Sequence, residues 1–114
     1  MTIPHVAFRS SDILHQRTDG FIRRMQDGAT KPEPQEIEAI MGIFIDEALT
    51  AFITRAAEAA RLSPGMMKVV RMTTQTISKA THLVVSRSAK KLDLQQNREA
   101  ADYMDQVRQP APGG

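Results

Sequence analysis

Residues 38–62 read EAIMGIFIDEALTAFITRAAEAARL and hold the most apolar stretch of this 114-residue chain. The apolar run that begins at Ala39 stops at Asp46, and the next uncharged run ends at Arg55. A helix that spans a membrane needs about 20 consecutive, mostly apolar residues. Both runs are too short, so the sequence predicts no membrane span.

The residues around this stretch favour a long amphipathic helix over a buried strand. Pro34 suits the first turn of a helix, and acidic residues cluster close to it, as helix N-termini prefer. Apolar residues then recur every three or four positions beside a polar stripe with the same spacing. The pattern predicts a helix over residues 34–62.

A second long helix is predicted over residues 64–92. Ser63 can cap its N-terminus, and Pro64 disfavours helical geometry at Ser63, which separates this helix from the preceding one. Its apolar and small residues alternate intervals of four and three, which is typical of a heptad-like packing seam. The seam consists of Met66, Val70, Thr73, Ile77, Ala80 and Val84.

Two shorter helices are predicted at 11–27 and 94–109, and Gly20 leaves open whether the first of them is broken. These elements predict one all-α domain over residues 1–109 and a disordered tail at 110–114. The two long helices form an antiparallel hairpin in this prediction. The shorter helices flank the hairpin in a bundle-like arrangement.

The helix lengths predict self-association. Helices of about 28 residues are roughly 42 Å long, whereas flanking helices of about 16 residues reach little more than half as far. A wide apolar face that stays uncovered is usually an interface, and most homo-oligomers have two-fold symmetry. We therefore expect a homodimer in which the first long helix supplies the interface. The candidate interface residues are Ile40, Met41, Phe44, Ile45 and Phe52.

Charge divides the chain into two halves. Residues 32–54 carry five acidic residues and no basic one, whereas residues 55–91 carry eight basic residues and one acidic one. A basic helical half can bind nucleic acid, an acidic protein partner or an anionic membrane surface, or it can balance the acidic helix beside it. The candidate contacts for DNA or an acidic partner are Lys68, Arg71, Lys79 and Arg87.

Residues 56–70 read AAEAARLSPGMMKVV. Ala57 falls where a first helix packs on a second, Leu62 would fill the turn, and Ser63 would cap the second helix. This stretch resembles the helix-turn-helix of bacterial repressors and activators, although Arg61 stands where such families usually place glycine. The resemblance implies that three side chains approach the major groove of DNA. These side chains are Met66, Lys68 and Arg71.

Patterns for metal binding are sparse. Asp12, His15 and Asp19 can line one helical face, but such triplets arise often by chance on solvated faces. The chain has no cysteine, so it has no thiolate ligand, disulfide or thiol nucleophile. It also lacks the GxGxxG and HExxH motifs of cofactor and zinc sites. We expect no metal and no cofactor.

Patterns for catalysis are equally weak. Asp46 and Glu47 are adjacent on a predicted helix, so they point about 100° apart and cannot act on one substrate atom. His82 lies four residues from both Ser78 and Ser86, but the same helix offers no nearby carboxylate to orient its ring. We expect no enzyme activity, and an enzyme whose site forms only in an oligomer ranks well behind the other functions.

The N-terminal residues lack the basic start and apolar run of a secretory signal, and a cysteine-free chain suits a reducing cytoplasm. The sequence therefore predicts a cytoplasmic, non-enzymatic, helical protein–protein interaction module that acts as a homo-oligomer. Its role would be that of an adaptor, a chaperone-like factor or a regulator of a protein partner. The alternative is a small DNA-binding transcriptional regulator that uses the segment at 56–70 and the basic half at 55–91.

Overall fold

The computed structural model describes residues 7–108, so the predicted tail at 110–114 lies outside the described residues. The structure is 79% helical and contains no strand in this range, which confirms the all-α prediction. A π-helical turn, Thr50–Thr54, joins the second and third helices. The helices are α1 (Asp12–Gln26), α2 (Pro34–Leu49), α3 (Arg55–Ala59), α4 (Pro64–Ala89) and α5 (Leu94–Val107).

Local sequence signals place the helix ends. Ser11 and Ser63 each accept a hydrogen bond from the backbone N–H three residues later, which satisfies a free donor of the first helical turn. Asp93 forms a capping box with Gln96, so α5 begins as a helix separate from α4. Gly28 follows α1 with a φ of 86°, a left-handed conformation that glycine adopts without steric strain.

Helix α1 runs through Gly20 without a break. The segment predicted as one α-helix over 34–62 is interrupted by the π-turn, and its helical part ends at Ala59. The backbone N–H of Arg55 donates to the carbonyl of Thr50, five residues earlier, which is the hydrogen bond of a π-turn and spans one residue more than the bond of an α-helical turn. Residues 34–59 thus form one continuous succession of helical turns, which we call the α2–α3 rod.

The hydrophobic core lies at one end of the molecule. It is built from α1 and the first half of α2, with one alanine from the end of α4 and one from α5. The buried core residues are Leu14, Phe21, Ile22, Met25, Ile37, Ile40, Ala89 and Ala101. The π-turn, α3 and the first two-thirds of α4 contribute nothing to this cluster, so about half of the hairpin extends beyond the core.

The helices form a row and do not close into a compact bundle. Among the described elements, α5 packs on α1, α1 packs on α2, and the α2–α3 rod packs on α4. The radius of gyration is 16.4 Å, against about 13 Å for a compact domain of 100 residues. Helix α4 is therefore an edge helix, and no other described helix covers the side that faces away from the rod.

The α2–α3 rod and α4 are antiparallel. Gly42 lies against His82, and Asp46, four residues later, contacts Ser78, four residues earlier. A Cβ atom at Gly42 would lie 2.8 Å from Cε1 of His82, closer than real Cβ contacts. The absence of a side chain at Gly42 is therefore what makes room for the imidazole of His82 between the two helices.

Helix α5 is tied to the loop before α2 by a buried amide. The fully buried Asn97 accepts a hydrogen bond from the backbone N–H of Glu33 at 3.0 Å and donates one to the carbonyl of Asp93 at 2.8 Å. Arg24 forms a salt bridge with Glu33 at 2.8 Å, and this hydrogen-bonded pairing raises the pKa of Arg24. These contacts hold α1, α2 and α5 together at the core end.

Candidate interaction surfaces

The polar contact between α2 and α4 centres on one carboxylate. Oδ1 of Asp46 accepts a hydrogen bond from Oγ of Ser78 at 2.5 Å and lies 3.2 Å from Nε2 of His82. The tertiary structure thus brings a carboxylate to the Ser78–His82 pair, although α4 itself supplies none. In a serine hydrolase the imidazole lies between the serine and the carboxylate, and here the carboxylate lies between the other two. The arrangement suits a link between helices rather than activation of a nucleophile.

Glu47 points to another neighbour. Its carboxylate accepts hydrogen bonds from the backbone N–H of Ser11 at 2.7 Å and from Oγ of Ser11 at 2.5 Å. Asp46 and Glu47 therefore point to different neighbours, Asp46 to α4 and Glu47 to the segment before α1. This divergence agrees with the expectation that the two carboxylates do not share a substrate atom.

A shallow groove of about 330 Å³ follows the π-turn between the rod and α4. Its lining is rich in hydroxyl groups and contains one carboxylate and one lysine. The groove-lining residues are Asp46, Leu49, Thr50, Thr54, Thr74, Gln75, Ser78 and Lys79.

No three His, Asp or Glu side chains converge as metal ligands in the part of the chain that the structure describes. Within this part, Asp19 of the predicted triplet is paired with Arg23 and Arg108.

The largest uncovered apolar surface lies on α4. Ala89 is the only residue of this helix that is buried within the described chain. Six large apolar side chains are between 40% and 62% exposed, and they follow the helix at intervals that keep them on one broad face. We call this face the α4 stripe. It consists of Met66, Val69, Met72, Ile77, Leu83 and Val84.

The α4 stripe includes half of the predicted heptad seam (Met66, Ile77 and Val84), and most of the seam does not pack on the rod. Of the seam residues, only Val70 is half-buried, and the rest are exposed. The face that packs on the rod carries Thr74, Ser78 and His82 instead. The most exposed apolar side chains of α4 thus face away from the rod, and the contact between the helices is mixed, because Met67, Val70 and Val85 are half-buried beside these polar groups.

A second apolar surface lies on the rod. Phe44 and Phe52 are each 44% exposed, and the ring of Phe8 packs against both, with centroids 5.3 and 5.8 Å away. We call these three rings the aromatic patch. Of the other candidate interface residues, Met41 and Ile45 are half-buried. Ile40 is only 3% exposed and belongs to the core of the single chain. It offers no surface to a second chain, so its prediction as an interface residue is corrected.

The candidate DNA contacts are all exposed side chains of α4. At 100° per residue, Lys68 and Lys79 lie on one flank of the α4 stripe, and Arg87 lies at the C-terminal end of the stripe itself. In the described range, 7–108, no lysine or arginine of α4 forms a salt bridge. Their charges are therefore available to a ligand.

The segment that resembles a helix-turn-helix has several of the expected local features. Ala57 is buried, and Ser63 caps α4. Arg61 has a φ of 56°, so a non-glycine residue adopts the left-handed conformation where the motif usually has glycine. The arrangement of the helices is different, because the helices of that motif cross at about 90–120° whereas α4 is antiparallel to the rod.

Sequence reasoning missed the role of Phe8 and the inter-helix role of Asp46. A phenylalanine before a helix cap and an acidic residue at the edge of an apolar run carry no signal that identifies a distant neighbour.

No helix in the described residues is long and apolar enough to cross a membrane. The chain matches no protein-family model, no curated protein and no solved structure.

Proposed function

We propose that this protein is a non-enzymatic helical interaction module that binds a protein partner through α4 and acts as a homo-oligomer. The observation that carries the proposal is the exposure of the α4 stripe on a helix of 26 residues with one buried side chain. Contiguous exposed apolar surface of this kind marks interaction sites in soluble proteins. Its methionines suit an adaptable protein-binding face.

The size of the stripe is consistent with a specific contact. Complete burial of an aliphatic side chain or methionine stabilises by about 1.5–3 kcal/mol, and these side chains are roughly half exposed. Covering all six would therefore yield on the order of 5 kcal/mol before the entropy of association is subtracted. The cost of association is of similar size, so apolar contact with the stripe alone supports only a weak or transient complex, which fits an adaptor, a chaperone-like factor or a regulator.

The aromatic patch supports self-association. Phe44 and Phe52 lie on the rod next to the half-buried Met41 and Ile45, away from the charges of α4. A ring that is 44% exposed after Phe8 has packed against it leaves apolar area for a second chain. We therefore propose Met41, Phe44, Ile45 and Phe52 as the homo-oligomer contact. The cysteine-free sequence suits the cytoplasm as the place where the protein acts.

Capture of partners from the native host tests the α4 surface. Wild-type protein and the variant Ile77→Asp with Val84→Asp serve as baits, and Tyr103→Asp is the matched control because Tyr103 is exposed on α5. We expect the wild type and the control to retain the same protein partner and the double variant to lose it. Equal capture by all three baits would contradict the proposal.

Light scattering tests the homo-oligomer. The wild type should be a dimer or larger, and Phe52→Glu should shift it to a folded monomer because the change places a charge in an apolar contact. Tyr103→Glu should leave the mass unchanged. A compact wild-type monomer at tens of micromolar would contradict self-association.

A DNA-binding regulator is the second candidate, and the free basic side chains of α4 support it. Binding of duplex DNA should then weaken steeply with salt, because phosphate contacts release counterions. Lys68→Glu with Arg71→Glu should abolish it and leave the fold intact, since both side chains are exposed. Tight binding to one duplex sequence at physiological salt, lost in this variant, would place DNA binding ahead of the first proposal.

A further inference from the structure

The charged side chains around the α4 stripe on its own helix are all basic. Residues 61–92 contain no acidic residue, and α4 carries Lys68, Arg71, Lys79 and Arg87. None of these four forms a salt bridge with another described residue. A partner that covers the stripe must therefore place its own charges next to basic groups that are not yet neutralised.

Two of these groups, Lys68 and Lys79, form a regular row with Lys90, the residue that follows the end of α4. Lys68, Lys79 and Lys90 are eleven residues apart, which is close to three helical turns, so they line one flank of the stripe at intervals of about 16 Å. All three are exposed. The other flank of the stripe borders the face that packs on the rod. A ligand on the stripe therefore meets apolar side chains along its centre and lysines along one edge.

We infer that the partner of α4 is an acidic amphipathic helix, an inference that rests on the proposed function. The helix would extend the row of helices by one member and place an apolar i, i+3, i+4, i+7 face on the α4 stripe. Aspartate or glutamate on its flank would lie opposite the lysine row. The stripe from Met66 to Val84 is about 27 Å long, which corresponds to about 18 residues of helix.

A second copy of the chain does not fit this surface. Two α4 helices would bring the same positive charge together, since neither carries an acid. Three acids in the rod or directly before it are committed to partners within their own chain. Glu33 pairs with Arg24, Asp46 accepts from Ser78, and Glu47 accepts from Ser11.

A helical protein partner fits the stripe better than a lipid surface or a duplex. Helix α4 has no Trp, Tyr or Phe, the side chains that anchor helices at membrane interfaces. Thr73, Thr76 and Ala80 are small residues among the large apolar ones, and small side chains allow two helices to approach closely. Duplex DNA would use the lysines and leave the apolar side chains uncovered.

The test is selection from a displayed library of 18-residue amphipathic helices whose flank positions are randomised, with the full chain as bait. We expect wild-type protein to enrich peptides with Asp or Glu on one flank of an apolar face. The bait Lys68→Glu with Lys79→Glu should enrich basic flanks instead. The control, Arg17→Glu with Lys31→Glu, makes the same change in net charge on exposed residues outside α4 and should select the same peptides as the wild type.

The strongest selected peptide is then measured by fluorescence anisotropy. Its affinity for the Lys68→Glu, Lys79→Glu variant should fall about tenfold, as expected when attractive rim pairs become repulsive. If peptide binding depends on Ile77 of the bait but shows no preference for acidic flanks, this inference is overturned and the proposed function still holds. Peptides that bind equally well to Ile77→Asp with Val84→Asp would overturn both. Tighter binding to vesicles of phosphatidylcholine and phosphatidylglycerol, or to duplex DNA, would also overturn the inference.

Discussion

Replacing Gly42 by alanine tests the closest contact between α2 and α4. The new Cβ would lie 2.8 Å from Cε1 and 3.2 Å from Nδ1 of His82, whereas ordinary van der Waals contact begins at 3.4 Å. The imidazole is 42% exposed, so the ring can swing outward and α4 can keep its place. That movement breaks the contact between Nε2 and Asp46.

The expected change in the free energy of unfolding combines two destabilising contributions with one stabilising contribution. Losing the hydrogen bond costs about 0.5–1.5 kcal/mol, and an off-rotamer ring costs a similar amount. Alanine is favoured over glycine inside a helix by about 1 kcal/mol. Gly42→Ala should therefore lower the free energy of unfolding by about 1 kcal/mol. In a His82→Ala background the same change should raise it by about 1 kcal/mol, which gives a coupling of about 2 kcal/mol.

Urea denaturation followed by circular dichroism measures the four proteins of this cycle at one protein concentration, since self-association shifts apparent stability. Gly20→Ala is the matched control, because its new Cβ would meet only the flexible end of Arg24, at 3.1 Å. The control should raise the free energy of unfolding by about 0.5–1 kcal/mol. A coupling between positions 42 and 82 below about 0.5 kcal/mol would refute the close contact and with it the register of the hairpin.

Three further predictions concern single sites. The hydrogen bond from Arg108 lowers the pKa of Asp19 below its ordinary value of 3.8. Ionised Asp19 therefore stabilises the fold above that pH, and this stabilisation is lost as the pH falls through the lowered pKa. Asp19→Asn should therefore reduce the free energy of unfolding near neutral pH and make no difference in strong acid, as acid titration by circular dichroism would show. Arg61→Gly should raise the melting temperature by relieving a left-handed conformation worth about 1–2 kcal/mol, and a lower melting temperature would contradict this. Asn97→Ala should destabilise by about 2–3 kcal/mol in urea denaturation because it leaves the N–H of Glu33 without its partner, and a loss below 0.5 kcal/mol would contradict that role.

The sequence by itself determined the helices and most of their ends. Pro34, Ser63 and Asp93 act on backbone groups within one turn of themselves, so their effect does not depend on the rest of the fold. The repeat of apolar residues every three or four positions is equally local. For these reasons the all-α class followed from the sequence alone. The mismatch in helix lengths also indicated that part of the hairpin would stay uncovered.

The tertiary structure alone decided which neighbour each helical face receives. Periodicity groups Ile77 and Val84 on one side of α4, but it does not say that Ser78 and His82 will be turned toward the rod. That choice depends on a carboxylate and a glycine more than 30 residues earlier in the chain. Likewise, Ile40 enters the core because α1 lies over the start of α2. Such pairings arise from the shapes and charges of residues that are distant in sequence, and they leave the apolar stripe of α4 on the outside.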